Sequence, residues 1–113
     1  MRGHAVIAAV LATCGALALS GPARADQYDF ISELDNSGVS YASITDMIGI
    51  GKELCHDLRN DVSPSLVLGK LRRTGFAPTE AAIILTAAVN TMCPDTKSLV
   101  VAWARGNGYT GPV

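Results

Sequence analysis

The chain has 113 residues, of which 49% are hydrophobic and 17% are charged, and its formal net charge at pH 7 is −1. A chain of this length is expected to form one small domain, which buries only a modest fraction of its surface. The weak negative charge argues against nucleic acid and against an anionic membrane surface as partners.

The first 25 residues have the pattern of a secretory signal peptide. A positively charged start is followed by an apolar run from Ala5 to Leu19 and then by small residues up to Ala25. The run is shorter than the roughly 20 apolar residues of a membrane span, so we expect cleavage after Ala25. One alternative is an uncleaved membrane anchor, and another is a lipoprotein with lipid on Cys14. Lipid attachment needs a small Gly, Ala or Ser directly before the cysteine, and Thr13 fits this requirement poorly.

Export would leave residues 26–113 as the mature protein. We predict a helical domain over residues 26–105 and a flexible, glycine-rich tail over residues 106–113. Because two of the nine Lys and Arg residues and none of the ten Asp and Glu residues precede residue 26, the mature net charge is −3. The predicted location is extracellular, with the cell envelope as an alternative, and no membrane span is expected once the signal is removed.

The mature sequence keeps two cysteines, Cys55 and Cys93. An even number of cysteines in a small exported domain predicts a disulfide. In the chain-entropy model, closing a loop of this size stabilises the fold by about 4 kcal/mol. The rival interpretation is a redox-active or metal-binding pair. It has little support, because there is no Cys-x-x-Cys motif and His56 is the only histidine beyond the signal segment.

The first predicted helix covers Asp26 to Ser37. Acidic residues stand at its start, and Gly38 is expected to end it in the left-handed conformation. Val39 can then fold back onto Leu34. Its core face is formed by three residues: Phe30, Ile31 and Leu34.

The clearest predicted helix follows Ser43, a probable N-cap with Asp46 three residues later. Steps of three and four residues separate its apolar positions, which are Ile44, Met47, Ile48, Gly51, Leu54, Cys55 and Leu58. This stripe places Cys55 in the core, and Gly51 one turn earlier leaves room for a neighbouring helix. His56 falls on the other side and is expected to face solvent.

A third helix is predicted from Pro64, after the Ser63 cap, to about Arg73, with Gly75 beyond its end. Its inward residues are expected to be Val67, Leu68 and Leu71. Three cations gather in its last turn: Lys70, Arg72 and Arg73. We interpret them as solvated charge placed favourably against the helix dipole, with binding of an anionic group as the alternative.

The fourth helix is predicted to begin at Pro78, and its residues 81–89 include a single polar side chain. A helix that is apolar nearly all round is expected to be buried nearly all round, so this helix should be the central element. Pro94 then starts either a fifth helix or a kinked continuation, which carries Leu99, Val100 and Trp103. Together these patterns predict an all-α bundle of four or five short helices.

The mature sequence resembles a family of small exported actinobacterial proteins classed as domain of unknown function 732. The pattern comprises Phe30-Ile31, Leu34, Gly38-Val39, Tyr41, Ile48, Gly51, Leu54-Cys55, Leu58, Ser63, Val67, Glu80-Ala81, Ala87-Ala88-Val89 and Met92-Cys93-Pro94. Family members usually have an aromatic residue in place of Met92 and a better helix cap in place of Ala77, and the segment from Asp95 onward lies outside the pattern. The resemblance implies a secreted helical domain with Cys55 bonded to Cys93 and no established activity.

No catalytic residue, metal site or cofactor is predicted. His56 and Asp57 are adjacent on a helix, where their side chains diverge by about 100 degrees and cannot form a relay. The sequence has no Gly-x-Ser-x-Gly, His-Glu-x-x-His or glycine-rich phosphate-binding motif. We therefore expect a non-catalytic binding or interaction module whose partner is an extracellular protein or a small apolar ligand. The sequence does not fix the oligomeric state.

The alternative function is an extracellular carrier of an apolar ligand such as haem or lipid. Four side chains are of types that ligate haem iron: Tyr41, Met47, His56 and Met92. The two methionines stand at regular core positions, where methionine usually serves as core filler, and this argues against the carrier. A single exposed patch would favour an interaction protein instead, and its candidate members are Ile50, Ile83 and Trp103.

Overall fold

The structure is a computed structural model that describes residues 26–109 and residue 111, and within this part of the chain the fold is all-α. The helices are α1 (26–36), α2 (Ile44–Arg59), α3 (Pro64–Arg73), α4 (Pro78–Thr91) and α5 (Lys97–Gly106), with a short 3-10 helix at Pro94–Thr96. The predicted fold class is confirmed. The predicted signal segment, residues 1–25, lies outside the described residues.

The connection from α1 to α2 forms as its residues predict. Gly38 has a φ of +76°, and the backbone N–H of Val39 then donates to the carbonyl of Leu34 over 3.0 Å. Val39 is buried against the core. The Ser43 hydroxyl accepts from the backbone N–H of Asp46 over 3.0 Å and caps α2.

The central element of the bundle is α4, against which α2, α3, α5 and the 3-10 helix all pack. The middle of the core is formed by completely buried side chains of α1, α2, α3 and α4 and of Cys93, which follows α4. They are Phe30, Leu34, Met47, Leu58, Val67, Ile84, Val89 and Cys93. Among the described helices, none has the length and the apolar run that a membrane crossing requires.

Three predicted core positions differ from expectation, and the first of them, Ile48, is only partly buried. Ile44 is 48% exposed, because it opens α2 at the edge of the bundle, and Met47 is the first residue of the stripe to reach the core. Leu68 is only half-buried, because it lies at the side of α3 that faces α5 rather than under α4. The segment after Pro94 is a separate helix, preceded by a 3-10 turn.

The prediction that α4 is buried nearly all round is only partly correct. Six of its residues are buried, but Ala82 is exposed and Ile83 and Thr86 are partly exposed. On one side of these residues lies α1, and on the other lie α3 and α5. We call Ala82, Ile83 and Thr86 the open strip of α4, since no other described element covers it.

Candidate binding groove

A disulfide joins Cys55, in the second half of α2, to Cys93, just beyond α4. The two Cα atoms are 5.8 Å apart, and both residues are almost fully buried. The predicted cysteine pair is therefore bonded inside the core. Because neither sulfur is exposed to solvent, the bond acts as a structural connection between α2 and α4.

Gly51 lies one helical turn before the disulfide, where three helices meet. A Cβ atom at this position would lie 2.7 Å from the Met92 Sδ and 3.0 Å from the Phe30 Cε2. Such distances are shorter than van der Waals contact, so only glycine fits without displacing a neighbour. We call the region formed by Phe30, Gly51, Met92 and the cysteine pair the disulfide core.

Two ion pairs connect α2 to its neighbours. Arg59 donates to both carboxylate oxygens of Asp95, over 2.9 and 2.8 Å, and Asp95 lies two residues after Cys93. This bidentate pair holds the pKa of Asp95 below its usual range. Lys70 of α3 donates to Asp57 over 2.8 Å, which raises the pKa of Lys70. Lys70 therefore differs from its neighbours Arg72 and Arg73, which have no acidic partner among the described residues.

The four candidate haem ligands do not converge. Met47 is completely buried, and the Tyr41 hydroxyl donates to Asp35 over 2.7 Å. His56 faces solvent, as predicted. Only His56 and Met92 line the same depression, an open volume of about 310 Å³ beside the disulfide. Within the described residues, no three metal-ligating side chains of His, Cys, Asp or Glu come together.

A largely apolar groove of about 250 Å³ lies between α3, α4 and α5, and we call it the α5 groove. Its floor includes buried Leu85 and Val100, and the exposed Ala82 of the open strip forms part of its edge. Half-buried Leu68 closes the side formed by α3. Trp103 and Tyr109 stand at the side formed by α5 and the residues that follow it.

Hydrogen bonds fix the side chains around the α5 groove. The Trp103 indole N–H donates to the Ser65 hydroxyl over 3.1 Å and thereby ties α5 to α3. The Thr86 hydroxyl donates to the Ala82 carbonyl within α4 over 2.9 Å. Since the polar atoms of Trp103 and Thr86 are engaged within the protein, both residues present mainly apolar surface to the groove.

The residues after α5 also pack along the groove. The backbone N–H of Tyr109 donates to the Ala104 carbonyl over 2.9 Å, and the Arg105 guanidinium donates to the carbonyls of Tyr109 and Gly111. Tyr109 itself is half exposed. These contacts position the start of the segment 106–113, and its predicted flexibility stays a prediction.

A second depression, of about 560 Å³, lies between α1 and α4 and shares Ala82, Thr86 and Tyr109 with the α5 groove. Ile83 lines this second depression, and Trp103 lines the α5 groove, so these two members of the proposed patch are close neighbours on the surface. Ile50 is separate, because it lies between α2 and α3. The three residues therefore do not form one patch.

Sequence reasoning did not identify the α5 groove. Its floor residues, Leu85 and Val100, lie on predicted helices, but its edge depends on how α5 lies against α3, which helical periodicity does not determine. One signal was available in the sequence. Trp103, the only tryptophan of the chain, lies one turn beyond Val100 and Leu99 in a segment that the family pattern does not contain.

The fold and the buried bond define a small, disulfide-bonded, all-α domain. A family model matches residues 25–95, which is more than half of the chain, and the chain belongs to that family, described as protein of unknown function DUF732. No curated protein and no solved structure is significantly similar to the chain. The matched residues contain α1 to α4 and both cysteines, whereas α5, with Trp103, lies outside the match.

Proposed function

We propose that this protein is an exported, non-catalytic binding protein that docks another extracellular protein on the α5 groove. The observation that carries the proposal is the open strip of α4. In α4 every other Ala, Ile, Leu and Val residue is buried, but Ala82, Ile83 and Thr86 are left uncovered next to a concavity with an apolar floor. A concave, apolar and uncovered surface of this kind is a common mark of a binding site.

Export is supported by two independent features. The first 25 residues have a signal-peptide pattern. The buried bond between Cys55 and Cys93 is of the kind that persists in oxidising compartments.

The aromatic side chains favour a binding role for this surface. Trp and Tyr are enriched among the residues that dominate the energy of protein interfaces, because each offers a large and rigid contact area. Trp103 and Tyr109 flank the groove; the Trp103 indole is bonded to Ser65, and the Tyr109 backbone is bonded to the Ala104 carbonyl. The groove therefore has its two aromatic anchors in place before a partner arrives.

The size of the groove favours a protein over haem or lipid. Small-ligand sites usually have about 300–1,000 Å³ and enclose most of the ligand surface. The α5 groove has about 250 Å³ and lies open along the α4 strip. The larger depression beside α1 is bordered by polar groups, including Glu33, Ser37 and Thr79. A partner that inserts a few apolar side chains fits this surface better than a small molecule that must be enclosed.

The test uses a matched pair of alanines. Ala82→Gln places a longer side chain across the groove, and Ala102→Gln makes the same change at an exposed position of α5 that does not line it. Both variants should keep the wild-type unfolding free energy within about 0.5 kcal/mol, as expected for surface changes. Each exported, oxidised protein is immobilised and exposed to culture filtrate.

We expect a filtrate protein to be retained by the immobilised wild type and by the immobilised Ala102→Gln variant, but not by the Ala82→Gln variant. Retention by all three proteins alike, or by none of them, would overturn the proposal. A protein lost with both variants would also count against the groove, because it would indicate a contact that does not depend on the groove itself.

A further inference from the structure

We infer that the segment bound in the α5 groove is an acidic amphipathic helix of the partner protein, an inference that rests on the proposed function above. It follows from two properties of the groove, namely the small side chains along it and the sign of the charge on the helices that border it.

The small side chains permit a helix backbone to come close. Ala82 and Thr86 lie one turn apart on α4, and Ala104 faces them from α5. Short side chains on both sides of a groove between two helices leave space for the larger side chains of a third helix to insert. A helix in a groove is a recurring mode of peptide recognition, in which apolar residues one turn apart serve as anchors.

The charge on the bordering helices is of one sign. α3 carries Lys70, Arg72 and Arg73, α5 carries Lys97 and Arg105, and neither helix contains an Asp or Glu. Asp57 pairs with Lys70, which leaves the two α3 arginines without an acidic partner among the described residues. Arg72 lies one turn beyond Leu68 and borders a neighbouring depression at the end of α3. The Arg105 guanidinium donates to the carbonyl of Tyr109, which lines the α5 groove.

The nearest acidic residue on α4 does not offset this charge at the groove. Glu80 lies in the first turn of α4, where its carboxylate accepts the Ala77 backbone N–H over 2.9 Å and caps the helix. It does not line the α5 groove. A partner with carboxylates beside its apolar face would meet the cations of the helices that border the groove, and a basic partner would be repelled.

A second copy of this chain is a weaker occupant. α1 is the most acidic helix, with Asp26, Asp29, Glu33 and Asp35 and no basic residue. However, its large apolar side chains, including Phe30, are completely buried in its own core. The outer face of α1 would offer the groove little apolar surface except for the exposed Tyr28.

Trp103 provides the reporter for the test, because it is the only tryptophan of the chain and lines the groove. The exported, oxidised protein is titrated with three synthetic helical peptides of about 18 residues, long enough for five turns. All three have the same Leu and Ala apolar face, and their polar faces consist of Glu, Gln or Lys. We expect the Glu peptide to change the Trp103 emission saturably and to bind about tenfold more tightly than the Gln peptide, with the Lys peptide weakest.

Three variants locate the effect. Ala82→Gln should abolish binding of the Glu peptide. Arg72→Glu should weaken it about tenfold, and Lys52→Glu, the same charge change on the exposed side of α2, should alter it less than twofold. The affinity should also fall as sodium chloride is added, because the carboxylate contacts are at the surface.

Several results would overturn the acidic helix and leave the groove as the binding surface. One is equal affinity for the three peptides with loss of binding in Ala82→Gln. Another is a Trp103 response to sodium laurate monomers without a response to any peptide, which would indicate an anionic lipid. A third is concentration-dependent dimerisation that Ala82→Gln abolishes, which would identify a second copy as the occupant. If no peptide binds while a filtrate protein shows the Ala82 dependence described above, the partner class is wrong and the proposed function stands.

Discussion

The disulfide core lies at the C-terminal end of α4, whereas the α5 groove runs along α4 beside α5, and the two regions are built in opposite ways. In the disulfide core, Gly51 leaves just enough space for Met92 and Phe30, and a covalent bond fixes the neighbouring turn. In the α5 groove, side chains of similar apolar character leave an open volume of about 250 Å³. The disulfide core is close-packed and covalently joined, whereas the α5 groove leaves apolar surface open beside α4.

The disulfide core and the α5 groove also differ in how much of each lies within the residues that the family model matches. Every residue of the disulfide core lies within the matched residues 25–95, whereas one complete side of the α5 groove is supplied by α5, outside the match. The disulfide core therefore belongs to the part of the chain that the family shares. The groove combines shared residues, such as Leu68 and Leu85, with residues of the extension.

The largest predicted effect concerns the disulfide. Replacing both Cys55 and Cys93 by alanine removes a bond between residues 38 positions apart. In the chain-entropy model this lowers the unfolding free energy by about 4 kcal/mol. For a domain of this size the thermal midpoint should fall by roughly 20 °C. Thermal unfolding followed by circular dichroism measures the change, and a variant that melts with the parent would show that the bond does not stabilise the fold.

The second prediction compares two glycines of α2. Gly51→Ala should destabilise the protein by about 1 kcal/mol net, because the strain of overpacking against Phe30 and Met92 exceeds the gain in helix propensity. Gly49→Ala, whose Cβ would meet no atom within 4 Å, should stabilise it by up to about 1 kcal/mol. Urea unfolding of both variants gives the two values. If both shift stability in the same direction, Gly51 is not the tight point of the disulfide core.

The disulfide core was largely predictable from the sequence because it depends on local periodicity. Steps of three and four residues placed Cys55 inward and His56 outward, and Gly51 on the same stripe as Cys55, all of which the structure reproduces. Ile44 was misplaced by the same reasoning, since periodicity gives the face of a helix but not the point where neighbouring elements cease to cover it.

The third prediction concerns the hydrogen bond that supports Trp103. Ser65→Ala removes the acceptor of the indole N–H. We expect a loss of about 0.5 kcal/mol in unfolding free energy, at the low end for a hydrogen bond because the site is exposed. The affinity for the acidic peptide should fall severalfold, as Trp103 is no longer held in place. Ser98→Ala, at an exposed serine of α5 without a hydrogen bond to its side chain among the described residues, is the control and should change neither quantity.

The α5 groove was not predictable in the same way. The identity of its floor residues follows from periodicity, but the groove exists because α5 turns back beside α3 and leaves the open strip of α4 uncovered. Pro94 is compatible with a kinked continuation of α4 as well as with a new helix, so the sequence left the position of Trp103 undetermined. Tertiary packing decides between the two.

The smallest predicted effect is on the pH dependence of stability. Arg59 lowers the pKa of Asp95 in the folded protein, mainly through their hydrogen bonds. A carboxyl group with a lowered folded pKa stabilises the protein above its unfolded pKa, and this contribution is lost as the pH falls through the folded pKa. Asp95→Asn should therefore reduce stability slightly at pH 7 and should reduce it less at an acidic pH at which the Asp95 carboxyl is protonated. Thermal midpoints at both pH values test this, and an equal loss at both would mean that the ion pair is not the cause.

The most direct test of the binding surface is a map of backbone amide chemical shifts in the oxidised protein as the acidic helical peptide is added. We expect the largest changes at the open strip of α4 and along α5, centred on Ala82, Thr86, Trp103 and Ala104, with little change in α1 or around His56. Largest changes on α1, or at the depression shared by His56 and Met92, would contradict the assignment of the α5 groove as the site of binding.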